Sequence, residues 1–160
     1  MERRGPVDKV TTAEPTNTNK DKIKYLKRYI LLDREIERKI REAEHWRSRL
    51  GNMTAQYSTQ PKGGGSIYPK EEVIIAKIVD LENEIDADID RLITIRDGIK
   101  AAIDAVEDDR ERLLLQYRYL DGRTFEWIAS EMNFHWQWIH RLHKKALKKL
   151  EINVCREMYS

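Results

Sequence analysis

Two stripes of apolar side chains run along this chain with helical spacing, each longer than an ordinary helix, and one loop-rich segment separates them. The first comprises Tyr25, Tyr29, Leu32, Ile36, Ile40, Ala43, Trp46 and Leu50, at intervals of 4, 3, 4, 4, 3, 3 and 4. The second comprises Ile74, Ile78, Leu81, Ile85, Ile89, Leu92, Ile95, Ile99, Ile103 and Val106, with a mean interval of about 3.6. Such spacing places each set on one face of a helix. Residues 71–103 alone would extend about 50 Å at roughly 1.5 Å per residue. A helix that long and thin cannot enclose a core by itself. Gly51 and Asn52 are expected to stop the first helix, and residues 51–70, with Pro61, Gly63-Gly64-Gly65 and Pro69, read as a connecting loop. The economical fold is an antiparallel hairpin over residues 20–105, with coiled-coil-like packing between its arms.

Composition agrees with long solvated helices. Of 160 residues, 36% are charged, while Gly (7) and Pro (4) are scarce. No apolar run approaches the roughly 20 residues that cross a bilayer. Residues 1–19 are polar and contain Pro6 and Pro15, so they read as a disordered tail and not as a secretion signal. Residues 154–160 read as a second tail. The lone cysteine, Cys155, excludes an internal disulfide and a cysteine-built zinc site. No membrane association is expected, and cytoplasmic residence is the default.

The net charge of +2 hides a segregation. From Glu71 to Glu111 acids outnumber bases by nearly three to one, 14 against 5. Between Met132 and Leu150 there is no acid, yet Arg141, Lys144, Lys145, Lys148 and Lys149 fall there. A polyanionic partner for the C-terminal part is the natural inference.

The pattern changes at 106–112, where Asp108 or Asp109 can cap a new helix. Residues 106–153 read as short helices rich in aromatic residues: one over 109–120, a turn at Asp121-Gly122-Arg123, a second over 125–132 with Thr124 as N-cap, a break at Asn133, and a last over about 135–152. Ile128, Ala129, Phe134, Ile139, Leu142, Ala146 and Leu147 fall at inward positions. The opposite face of the last helix carries Trp136, Gln137, His140, Arg141, Lys144 and Lys148. Two short helices joined by a tight turn, the second one basic, describe a helix-turn-helix whose last helix fits the major groove of double-stranded DNA.

The segment Thr124-Phe125-Glu126-Trp127-Ile128-Ala129-Ser130-Glu131-Met132, then Asn133-Phe134-His135, then Trp136 through Leu150, resembles the helix-turn-helix of sigma-70 family region four. Thr-x-Glu-x-Ile-Ala opens it, and Lys145-Ala146-Leu147-Lys148-Lys149-Leu150 closes it; Leu113 through Gly122 fits the helix leading in. The resemblance implies an all-α fold, double-stranded DNA as partner, and base or phosphate contacts at Trp136, Gln137, His140, Arg141 and Lys145. It also implies bacterial RNA polymerase as a further partner. Trp136, Trp138 and His140 stand where the family commonly has arginine. Tryptophan cannot make arginine's bidentate pair with guanine, so DNA-binding geometry carries over and promoter specificity does not. The rest of the chain, including Met53-Thr54-Ala55-Gln56-Tyr57-Ser58 and Pro61-Lys62-Gly63, resembles phage and prophage proteins akin to late-transcription regulators of the RinA and ArpU kind.

Other signals read as structural. Gly63-Gly64-Gly65 lacks the order of a nucleotide loop. Asp86, Asp88 and Asp90 mimic the start of a calcium loop, but Arg91 and Asp97 stand where Gly and Glu are needed. His135, His140 and His143 do not read as a metal site, since no cysteine is near and the first two are five apart, not three or four; beside phosphate they would titrate upward and tighten DNA binding near pH 6. No catalytic constellation is present, so no enzyme and no cofactor is expected. The expectation is a transcriptional regulator that is a monomer or a homodimer through its hairpin. The alternatives are a small-terminase-like packaging protein, working as a ring, and a helical protein-interaction module.

Overall fold

A computed structural model describes residues 18–57 and 69–152. All regular structure among them is α-helical: α1 (Asn19–Tyr57), α2 (Pro69–Asp104), α3 (Asp109–Tyr119), α4 (Phe125–Glu131) and α5 (Trp136–Lys149). The two long helices pack along each other as the hairpin, and α3 to α5 form a small bundle at its root. Residues 1–17 of the proposed tail over 1–19, the proposed tail over 154–160, the glycine triplet and Cys155 lie outside the described residues, and Asn19 of the first tail already belongs to α1.

α1 does not stop at Gly51-Asn52 but continues to Tyr57. A helical glycine costs only about 1 kcal/mol, and the tip supplies contacts that offset it. Trp46, Arg49 and Met53 of α1 share a largely apolar concavity with Val73 and Ile74 of α2. α2 starts two residues earlier than expected, at Pro69, which lacks the N–H that a first turn leaves unused.

Ile78, Leu81, Ile95, Ile99 and Ile103 of α2 are buried as their spacing requires. Two inward assignments are corrected, the first at Ile40 of α1, which is 38% exposed. Ile89 is 38% exposed, and the inward place in that turn belongs to its neighbour Asp88, which is buried. Lys39 of α1 explains the exchange. Its Nζ lies 2.7 Å from Asp88 Oδ2 and 2.9 Å from Glu84 Oε2. The hydrogen bond to Asp88, then that to Glu84, raises the Lys39 pKa above its ordinary value. This pairing is complete at one alignment of the helices; slipped from it, Lys39 loses both carboxylates and Asp88 keeps only Arg91 of its own helix, 3.4 Å away. It therefore pins the register of the hairpin. Nearer the root, Gly98 lets the helices approach closely, since a Cβ there would sit 3.1 Å from Tyr25 Oη.

The apolar core is continuous from the hairpin into the C-terminal bundle. Leu26, Ile99 and Ile103 belong to one cluster with Leu114, Leu115, Ile128, Ile139, Leu142, Ala146 and Leu147. The proposed boundary at 105/106 thus runs through shared packing. α3 starts at Asp108, whose side chain accepts from the Arg110 and Glu111 backbone N–H groups. α5 ends three residues before the expected Ile152. Leu150 turns to an extended conformation, and both Leu150 and Ile152 are buried in the common core.

Candidate nucleic-acid interface

The α4–α5 unit is built by local chemistry. Thr124 is the N-cap of α4, its hydroxyl accepting from Trp127 N at 3.2 Å. Gly122 before it takes φ +68. Asn133 takes φ 55 after α4, and the turn closes with Phe134 N donating to Ala129 O at 2.9 Å. His135 caps α5, its Nδ1 accepting from Gln137 N at 3.3 Å. Ile128 and Ala129 then bury against the inward face of α5. The Thr124 cap, the turn at Gly122, the break at Asn133 and the inward Ile128 and Ala129 were legible in the sequence; the His135 cap, placed there inside the helix, was not.

The outward face of α5 carries Gln137, Arg141, Lys144 and Lys148, all exposed and spaced 4, 3 and 4 apart. They make a single stripe along a helix of 14 residues, about 21 Å long. No described residue forms an ion pair with Arg141, Lys144 or Lys148. The five bases of this segment divide by role. Lys145 and Lys149 turn to Glu111 of α3, a carboxylate with no exposed surface. Lys145 Nζ is 3.1 Å from Oε1, and Lys149 Nζ is 3.0 Å from both oxygens. Lys145, a contact position by resemblance, is thus occupied within the protein. Nothing in the sequence marks Glu111 as buried among its charged neighbours.

At the start of α5, Trp136 is 49% exposed and stacks edge-on against His140, ring centroids 4.3 Å apart. His140 is half-buried, tilted onto Phe125 at 4.5 Å, and its Nε2 has no hydrogen-bond partner among the described residues. Glu126 stands beside them. Its own backbone N–H, then Thr124 and the Trp136 side chain, hold its carboxyl below the ordinary range. Trp136 therefore has an intramolecular neighbour as well as an exposed face. Trp138 packs on Phe134 at 4.0 Å, and Trp127 lies edge-on to Tyr117 at 5.2 Å under the Arg123 guanidinium.

His143 departs from expectation. It is buried, with Nε2 2.8 Å from the Tyr119 hydroxyl. Burial, with Arg118 and His140 adding to it, lowers its pKa to about 4. Burial likewise raises the Tyr119 phenol to about 12. A neutral core histidine cannot supply the pH response expected beside phosphate.

Sequence reasoning also missed Lys22. Its side chain is buried, and Nζ donates to Leu147 O at 2.8 Å and Lys148 O at 3.4 Å. An ammonium from α1 thereby satisfies carbonyls that the end of α5 would leave unpaired. No local signal foretells a cap 125 residues away in sequence.

Three helices, a glycine turn, a left-handed asparagine and a solvent-facing basic stripe define a helix-turn-helix of the DNA-binding kind. Residues 108–151 match the family described as Sigma-70, region 4. The match opens on the α3 N-cap and closes one residue past the α5 C-cap, so the C-terminal part is a sigma-70 region-4-like helix-turn-helix. Searches of curated proteins and of solved structures gave no match.

Proposed function

We propose that the chain is a sequence-specific DNA-binding transcriptional regulator that lays α5 in the major groove. The observation that carries this reading is the Gln137–Arg141–Lys144–Lys148 stripe, exposed and, among the described residues, without an acidic partner on a region-4-like scaffold. Thr124 and the start of α4 would meet the phosphate backbone beside it. Lys144 and Lys148 act as phosphate contacts, which position the helix on any sequence. Arg141 and Gln137 read base edges. The proposed role is binding, with no catalytic step and no cofactor.

The sharper form is a phage or prophage late-gene activator of the RinA and ArpU kind, or a sigma-like factor, working in the bacterial cytoplasm beside RNA polymerase. The hairpin is the part available to a protein partner. Among the described residues no helix is long and apolar enough to cross a membrane.

The test is genomic pull-down by the purified chain with sequencing of bound fragments. One enriched site upstream of an operon is the expected outcome; no enrichment over shuffled DNA would reject the reading. Enrichment at a packaging site would favour the terminase-like alternative. A second arm measures affinity against salt. Replacing Lys144 and Lys148 with alanine should weaken cognate and random DNA alike and reduce the salt slope by roughly 2, about 0.9 per lost phosphate contact. Arg141→Ala should narrow the gap between cognate and random DNA.

A further inference from the structure

Among the described residues, half of the large apolar side chains that remain exposed lie on α2, and they are not scattered. Ile89 and Ile93 stand 38% and 54% exposed on a flank of α2, beside the face that packs on α1. Extending their line in both directions at alternating intervals of three and four gives Glu82 and Asp86 towards the tip, and Arg96 and Lys100 towards the root. All six are exposed. The rhythm is that of a coiled-coil seam, separate from the seam that α2 already uses against α1.

The charges select the occupant. The line reads acid, acid, isoleucine, isoleucine, base, base. A second copy laid parallel and in register would set each acid on its own copy and each base likewise. Laid antiparallel about a twofold axis at residue 91, it sets Ile89 against Ile93 of the second copy, Asp86 against Arg96, and Glu82 against Lys100. Each of these contacts occurs twice, as a twofold interface requires. Asp86 and Arg96 have no ion pair among the described residues, whereas Arg47 holds Glu82 and Asp104 holds Lys100 within the chain. The innermost charged layer is therefore free to pair between copies. Asp90, on the rim of the line, would meet its own copy near the axis; it is exposed, where like charges cost little.

A competing register would pair Ile75 with Ile93 and Val79 with Ile89, since Ile75 and Val79 continue the line towards the tip at 44% and 48% exposure. That register opposes Glu82 to Asp86 of the second copy twice over, four carboxylates at the centre of the seam. We infer that the hairpins of two copies of this chain pair antiparallel through this exposed flank of α2, with the Ile89–Ile93 layers at the centre and Asp86–Arg96 layers on either side. The inference is independent of DNA binding.

The mass of the full chain in solution tests it, by light scattering or sedimentation equilibrium. A dimer is expected, and a wild-type chain monomeric at every accessible concentration overturns the inference. Ile89→Glu with Ile93→Glu should raise the dimer dissociation constant about 100-fold or more. Because both sites are exposed, helicity by circular dichroism should not change; a dimer of undiminished affinity would place the interface elsewhere and overturn the inference. The charge variants act as a second measurement that does not touch the apolar centre. Asp86→Arg alone and Arg96→Asp alone should each weaken the dimer, and the two together should restore it. Strengthening by Asp86→Arg alone would identify the competing register, and no restoration in the double variant would exclude the antiparallel pairing.

Discussion

At the level of single residues, the basic helix divides its charges between the protein and solvent. Glu111 is fully buried and depends on Lys145 and Lys149. Replacing both lysines with alanine strands a buried carboxylate, and a loss of about 3 kcal/mol in unfolding free energy is expected by denaturant titration. Either single replacement should cost much less, because the other ammonium remains. Lys144→Ala and Lys148→Ala, by contrast, should leave stability within about 0.5 kcal/mol of wild type. His143 yields a pH dependence whose sign is fixed. The unfolded chain protonates it near 6.5 and the folded chain only at about 4. The unfolded state binds the extra proton between those values. The His143 contribution is thus complete above about pH 6.5 and is lost as pH falls towards 4, by roughly 3 kcal/mol at most. Thermal melts from pH 7 to 4 should show this, and His143→Gln should flatten it.

At the level of elements, the helices and their caps were legible because short-range rules write them. Thr124, Asp108, Gly122 and Asn133 each stood where a cap or a turn needs that residue type. Asn133 invites a direct check. Asn133→Gly should be nearly neutral, whereas Asn133→Ala should cost about 1 kcal/mol in the left-handed conformation. What escaped the sequence is long-range. Ile89 fits the inward periodicity of α2 as well as any isoleucine, and only the Lys39 pairing on the other helix gives the inward place to Asp88. Leu26 is outside the first apolar stripe and Lys22 carries a charge, yet both are buried against the C-terminal bundle. Glu111 lies in a run of charges whose spacing gives no hint which member turns in. The outward basic stripe was readable, but the withdrawal of Lys145 from it was not.

At the level of the whole molecule, the hairpin and the bundle share one core, so they should not behave as beads on a string. A fragment spanning 106–153 would lose Leu26, Ile99 and Ile103 from its packing and Lys22 from the end of α5. Its melting temperature should lie well below the single transition expected for residues 18–152. In the full chain, Lys22→Met should cost about 2 kcal/mol, the usual worth of a hydrogen bond to a charged group. Hydrogen exchange should quicken first in the last turn of α5. The same staple has a mechanical consequence. α2 has 36 residues, which makes a rod of about 54 Å. Joined through α1 and α3 to the helix proposed to read DNA, that rod would turn with it around the duplex axis. Whatever grips the tip would stand some 15 base pairs' length away, at a fixed angular setting. Sliding the bound site by five base pairs would swing the tip to the opposite side of the double helix, since a turn is about 10 base pairs. Ten would bring it back. Any partner held there should therefore follow the helical phase of the DNA and not distance alone.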